Sequence, residues 1–413
     1  MPSPKLTLGV LIAGLALLLV GVGLIGTLVG VRASLEHFSA LTIGLIMSGY
    51  YLGYVLGTFL CPALIRRVGH IRTFAALAAM TCAVTLAFSL WVHPLVWGLL
   101  RVVGGIGVVG LYMVVESWLN EQVDPSWRGR LFGLYTAVTL GALAGGQFLL
   151  LVGDPLTSVP FVIAAIFIAL GLVPIAVTRV HEPVPVQTPE AHLRELYAIS
   201  PMAFQGVLIT GLVTSAFWGM GAVFAQRIGL DALGISTFLA ATIAGGAALQ
   251  WPVGHLSDRF DRRAVLVAVS FACALVALAA VWLLEQGLVA MMLTAFVYGG
   301  LLFPLYGLSV AHANDQLAPS QMLEASRGLL LVYGFGAIVG PAAAGLVMAW
   351  LGPMGLPLYS AAFLILLGGF GLFRMTRRVA PPLAEQGDFV AMVRTTPVAL
   401  EMHPQVEAED SRS

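Results

Sequence analysis

Charge is scarce in this chain. Only 10% of its 413 residues are Asp, Glu, Lys or Arg, against about 25% in soluble domains, so a soluble globular fold is excluded by composition. Cysteine is scarcer still. Cys61, Cys82 and Cys273 all fall inside apolar stretches with neither CxxC nor metal-ligand spacing, which leaves them as small buried hydrophobes rather than a disulfide framework or a metal site. The chain also lacks a Gly-rich phosphate loop with its lysine, a GxSxG and a metal-spaced histidine pair. An intrinsic ATP-driven pump and an enzyme are thereby set aside, and no cofactor or metal is expected. Nothing points to nucleic acid.

What fills the chain instead is apolar. At 59% hydrophobic residues and a mean hydropathy of +0.95, it is a multi-pass membrane protein whose partner is the lipid bilayer. Windows of about 20 apolar residues, the length a helix needs to cross about 30 Å of hydrocarbon, recur along it. They lie at residues 6–29, 40–64, 71–91, 94–119, 130–152, 159–178, 201–225, 233–254, 264–284, 288–311, 326–350 and 355–374. The run after Lys5 reads as the first span, because the apolar core of a cleaved signal peptide is only about 7–15 residues.

Arginine placement orients the chain. With the N-terminus inside, Lys5, Arg66, Arg67, Arg72, Arg128, Arg130, Arg179, Arg194, Arg259, Arg262, Arg263, Arg327 and the tail arginines are cytoplasmic, and only Arg32 and Arg227 lie outside. The positive-inside rule favours that arrangement, with both termini in the cytoplasm. Residues 179–200 form a Pro-rich and then amphipathic linker between a six-span bundle at 1–178 and another at 201–378. The polar tail at 379–413 is expected to be disordered.

The two halves echo one another. Gly141 and Gly145 recur as Gly336 and Gly340; Leu111, Tyr112 and Asn120 recur as Leu305, Tyr306 and Asn314; Arg67 recurs as Arg259. The near-constant offset predicts a six-plus-six duplication, which places a substrate site near the midplane between the halves.

Arg101 is the one full charge placed deep inside a span. An unpaired arginine there costs at least about 2.5–3.5 kcal/mol, so it is expected to face an aqueous cavity or a polar partner. At 100° per residue, Tyr112 lies within about 20° of it and Glu116 within about 60°, so one helix face carries a cation, a phenol and a carboxylate. Arg101 and Glu116 are about 22 Å apart along the axis. Glu116 is therefore expected at the cytoplasmic mouth, either in coupling or paired with a loop arginine. Tyr50, Tyr54, Gln147, Trp218, Gln250, Tyr298 and Tyr306 offer hydrogen bonds or stacking along a pathway, although Tyr and Trp also serve as interfacial anchors. His312 closes the tenth span and could take a proton near neutral pH.

Between the eighth and ninth spans runs GHLSDRFDRR, residues 254–263, with five charges in six residues. It reads as a tight turn. Gly254 lets the chain leave one helix, Asp258 offers an acceptor at a helix N-terminus, and Arg259, Arg262 and Arg263 stay in water. This run resembles the G-x-L-x-D-R-x-G-R-R loop of the major facilitator superfamily, with Asp261 where that family usually has Gly. RVVGGIG, from Arg101 through Gly105 and Gly107, resembles the family's R-x-x-x-G-x-G helix, whose arginine is associated with proton coupling. Gly336, Gly340 and Pro341 resemble its antiporter G-x-x-x-G-P pattern, but in the eleventh span rather than the fifth, which has no proline. Within the superfamily, RRVGHIRTFAALA, GLYMVVESWLNE and LQWPVGHLSDRFDRR are similar to the bacterial YcaD-like branch.

The resemblance implies an all-α integral membrane fold of twelve transmembrane helices in two six-helix bundles. It implies a monomeric secondary transporter of the bacterial inner membrane, moving a small molecule by alternating access with proton coupling, efflux being favoured. It also implies a cytoplasmic latch in which Asp258 meets Arg128 and Arg130 at the start of the fifth span. In the first half the matching position holds Arg66, so Arg66 or Arg67 is expected to pair with Glu324, near Arg327, in a sign-reversed version. A passive facilitator of the same fold and a non-transporting membrane sensor are the alternatives.

Overall fold

The computed structural model describes residues 4–121, 127–177, 193–283, 286–377, 386, 387, 389, 395, 396, 398 and 399. All regular structure among them is helical: α1 Pro4–Leu35, α2 Ala40–Val68, α3 His70–Leu90, α4 Pro94–Glu121, α5 Arg128–Gln147 and α6 Val159–Val177. After the short α7, Leu193–Ile199, come α8 Pro201–Arg227, α9 Ala232–Arg259, α10 Arg262–Leu283, α11 Leu288–Leu302, α12 Pro304–Asn314, α13 Pro319–Leu351 and α14 Gly355–Met375. Eleven helical stretches are long and apolar enough to cross a membrane, and the last, Gln321–Met375, contains both α13 and α14. That brings the spanning segments to twelve, in an all-α membrane fold.

Local chemistry explains the ends. Asp231 Oδ1 accepts the amide of Gly234 at 2.8 Å and caps α9, satisfying one of the donors left over at a helix start. Gly69, at φ 83°, is the single residue between α2 and α3. A side chain there would strain that left-handed backbone. The tenth span is not continuous: α11 stops at Leu302 and α12 begins at Pro304, because proline has no amide to carry the helix across Phe303.

By packing, the chain divides into two compact units. The first comprises Met1–Glu36, Gly49–Pro189 and Val393–Ser413; the second, His37–Ser48 and Glu190–Met392. In the first, α1 packs on α5 and α6, and α3 on α4 and α6. In the second, α8 packs on α13 and α14, α9 on α11, and α10 on α14. Outward-facing Trp282, Trp350, Leu95 and Leu99 stay exposed, as apolar side chains do where the surroundings are lipid.

The tail departs from its expected disorder at its described residues. Thr395, Thr396, Val398 and Ala399 are buried. Polar composition denies the segment a core of its own, but the first unit supplies one. The rest of the tail and linker residues 179–192 lie outside the described residues.

Candidate functional site

In the first unit the site is built on α4, which is drawn close to α2 by small residues. A Cβ on Gly49 would stand 2.8 Å from the Gly98 carbonyl oxygen, one on Gly53 would overlap the Val102 carbonyl, and one on Gly105 would overlap that of Tyr50. Gly107 lies instead against the side chains of Thr81 and Met80 on α3, whereas the three contacts to α2 and α4 are with backbone. Backbone approach of this kind is how glycine holds helices together where lipid removes the hydrophobic drive. Gly49, Gly53 and Gly57 follow a four-residue spacing that is visible in the sequence.

That approach sets Arg101 beneath Tyr50. The Arg101 side chain is buried, with Cζ 4.7 Å from the Tyr50 ring centroid. Its Nε is buried without a hydrogen-bond partner among the described residues. Tyr50 in turn packs edge-on to Tyr51 at 5.3 Å and lies 5.8 Å from Tyr54. A desolvated cation–π contact is worth about 2 kcal/mol. It offsets most, but not all, of the cost of an arginine in a span, about 2.5–3.5 kcal/mol.

Glu116, fifteen positions further along α4, is fully buried, and Tyr112 is buried between the two. The Glu116 carboxylate accepts hydrogen bonds from the hydroxyls of Tyr135, on α5, and Thr396. Thr395 adds its own hydroxyl, 3.2 Å from that of Tyr135, and its carbonyl accepts from Tyr54 at 3.0 Å. No ion pair to Glu116 occurs among the described residues, so pairing with a loop arginine gives way to a ring of hydroxyl donors. Tyr135, Thr395 and Thr396 were missed from sequence, where nothing marks them.

In the second unit the charged run is a clamp rather than a solvated turn. Arg262 is 1% exposed and Arg263 is also buried, which corrects the expectation that both stay in water. Arg262 Nη1 donates to both oxygens of Asp315 at 2.9 and 3.1 Å. Its Nη2 reaches Asp258 at 3.0 Å and the Gly387 carbonyl at 2.5 Å. Two carboxylates and a carbonyl supply what water would have supplied. Asp258 sits in the last turn of α9 and accepts the Phe389 amide at 2.8 Å. The acceptor at a helix start is instead Asp261, just before α10, which takes the Arg263 amide at 3.0 Å and pairs with its guanidinium at 2.9 Å.

These pairings move both carboxyls. Burial acts to raise Asp261, but the hydrogen bonds and charge of Arg263 outweigh it and hold the group below its ordinary value. Burial of Asp315 raises its carboxyl, and Arg262 only partly opposes this. Arg259, Arg66, Arg67 and Glu324 are exposed. Arg130 is exposed over the Trp127 ring at 4.8 Å, and Arg128 opens α5. The Phe389 ring occupies the place of a Cβ on Gly254.

The remaining candidates divide. Gln147 is buried and fully engaged, accepting from Thr27 and donating to the carbonyls of Gly23 at 3.2 Å and Leu143 at 2.9 Å. It is a strut between α1 and α5. Gly141 and Gly145 face open space, and the close approach on α5 belongs to Gly146, against Val20. This corrects their assignment to helix packing. Gly336 and Gly340 do lie against the Leu208 and Leu212 carbonyls of α8, and Pro341 lies inside an unbroken α13. Tyr298 and Phe217, with ring centroids 5.7 Å apart, line an apolar cavity of about 50 Å³ with Phe224, Phe238 and Ser360. Trp218 packs on Phe303, Tyr306 on Tyr333, and Gln250 is buried. His312 is buried beside Gln316, whose amide stands 3.2 Å from its ring nitrogen and donates to Ser200 at 3.0 Å.

A family model described as Major Facilitator Superfamily matches residues 8–326. The chain belongs to the Major Facilitator Superfamily. This is a family of membrane transporters rather than enzymes, whose members carry small molecules, some of them with protons. Among its relatives is the uncharacterized MFS-type transporter YcaD of Escherichia coli (strain UMN026), 29% identical over 346 residues that cover 82% of this chain and 88% of that one. A mutant form of the nucleoside transporter NupG superposes with a TM-score of 0.75 at 15% identity, covering 90% of this chain and 99% of that one. A bacterial homologue of the human lysosomal transporter Spinster superposes at 0.71, with 15% identity and coverages of 94% and 100%. At these identities the two structures speak for the fold.

Proposed function

We propose that this major facilitator protein is a secondary active transporter of the bacterial inner membrane, moving a small molecule by alternating access and coupled to protons. The observation that carries the reading is Arg101, a buried guanidinium held by the Tyr50 ring and with no carboxylate partner among the described residues. A charge kept in a membrane span without a counter-charge is expensive, and such residues line substrate and ion pathways. The buried Glu116 on the same helix is the second titratable group of that pathway.

The test is a screen in proteoliposomes with an imposed pH gradient, reading internal pH as a panel of small molecules is added. A compound that collapses the gradient with wild-type protein but not with Arg101→Ala supports the reading. Transport of that compound at equal rates with and without the gradient sinks proton coupling in favour of a passive facilitator.

A further inference from the structure

We infer that the apolar cavity of the second unit is a binding site for a membrane-dissolved alcohol, one neutral hydroxyl on an aliphatic chain, entered from lipid between α10 and α11. This goes beyond the transport reading. The site uses neither Arg101 nor Glu116, and binding to it needs no gradient.

Placement limits what can arrive. The cavity lies within one bundle, walled by α8, α9, α10, α11 and α14, at the end where α8 and α10 finish and the other three begin. Its inner wall is buried, with the centroid of the Phe217 ring 5.8 Å from that of Phe238 and 5.7 Å from that of Tyr298. The wall residues that are only half-buried, among them Val276, Ala280 and Thr294, all stand on α10 and α11. Beside them Leu275, Leu278 and Trp282 on α10 and Leu293 on α11 are exposed. Apolar surface of that kind in a membrane fold meets acyl chains, so what enters between these two helices comes out of the bilayer.

The chemistry of the wall selects the head group. No charged side chain lines the cavity among the described residues, so a carboxylate or an ammonium would lose its water there and meet no counter-charge. The head must be neutral. It must also be polar, because two hydroxyls stand at the inner wall. Tyr298 Oη is buried with no hydrogen-bond partner of ordinary geometry among the described residues, and the Ser360 hydroxyl lies close enough to interact with it. Even bonded to each other, two hydroxyls leave one hydrogen without an acceptor. The Thr294 hydroxyl adds nothing, being spent on the Ala290 carbonyl at 2.7 Å. One oxygen that both donates and accepts serves Tyr298 and Ser360 together. Water has such an oxygen but no apolar body to set against the rings, and apolar cavities stay dry. The volume, about 50 Å³, is about a third of the ~150 Å³ that admits benzene. It takes the hydroxyl and the first carbons, and the rest of the chain stays in lipid.

The experiment uses purified full-length protein in lipid nanodiscs, photolabelled with octanol carrying a diazirine beside its hydroxyl, the adducts being located by peptide mass spectrometry. Saturable labelling of the α10 and α11 wall is expected, suppressed about tenfold by excess n-octanol and unaffected by octanoate or octylammonium. Tyr298→Phe/Ser360→Ala removes both hydroxyls and little else, and is expected to raise the half-saturating concentration about tenfold. Ala280→Trp plugs the open side and is expected to abolish the labelling. Labelling that rises without saturation along lipid-facing side chains means partitioning only, and overturns the inference. Equal competition by octanoate or octylammonium overturns it too, as does an unchanged half-saturation in the double variant. If a variant fails to fold, the competition in wild-type protein decides alone. All of this is read without a pH gradient, so failure here leaves the transport reading standing, and loss of transport in Arg101→Ala leaves this site standing.

Discussion

Arg101 in the first unit and Arg262 in the second are both buried, at 7% and 1% exposure, and are held in opposite ways. Arg262 faces two carboxylates and a backbone carbonyl, so its charge and its terminal nitrogens are matched. Arg101 faces an aromatic ring, and no carboxylate meets it among the described residues, whereas the Nε atom is unbonded there in both arginines. A matched guanidinium is part of the frame; an unmatched one retains capacity for something that comes and goes. Burial alone would have ranked the two together, and their partners separate them.

The sharpest way to break this contrast is Arg262→Ala. It leaves Asp315 buried and unpaired, and is expected to cost about 3–5 kcal/mol of stability by denaturation in detergent. A loss under about 1 kcal/mol would make the two arginines equivalent. Next in size is Gly53→Ala, which drives a Cβ onto the Val102 carbonyl of the Arg101 helix. Overpacking of that kind is expected to cost about 1–3 kcal/mol, whereas Gly141→Ala, facing open space, is expected to gain up to about 1 kcal/mol. Arg101→Ala is expected to change stability by less than about 1 kcal/mol, because the lost stacking and the relieved burial nearly cancel, while abolishing gradient-driven transport.

The smallest effect sharpens the paired side through pH. Arg263 holds Asp261 below its ordinary value of 3.8 against the opposing effect of burial. Its contribution is fully present above that value and is lost as pH falls through the lower, folded one. Asp261→Asn is expected to flatten the decline of stability below about pH 4. Asp315 runs the other way. Raised by burial from 3.8, it makes folding bind a proton, so its contribution declines as pH rises from that value to the folded one. Asp315→Asn removes that opposite slope, and thermal melts across pH 3–6 distinguish the two.

Much of the fold is legible in the apolar runs, and Arg101 announces itself as a charge inside one. The break between α11 and α12 was equally readable from Pro304, and the α2 approach from the spacing of Gly49, Gly53 and Gly57. The partners were not. Thr396 is 280 positions from Glu116, and Asp315 is 53 from Arg262. No local pattern links either pair. Assigning the helix-start acceptor to Asp258 instead of Asp261, and close packing to Gly145 instead of Gly146, are errors of a few residues, but in a helix one residue is a turn of about 100°.

Twelve spanning segments, a family and a suspect arginine follow from residue order, because transfer into lipid adds up along a helix and an isolated charge opposes it wherever the helix lies. Which guanidinium is neutralised, and which carboxylate is met by the chain's own threonines, depended on how each helix turned and what came to lie beside it. A hydrogen bond is decided within about 3 Å, and only packing brings distant residues that close.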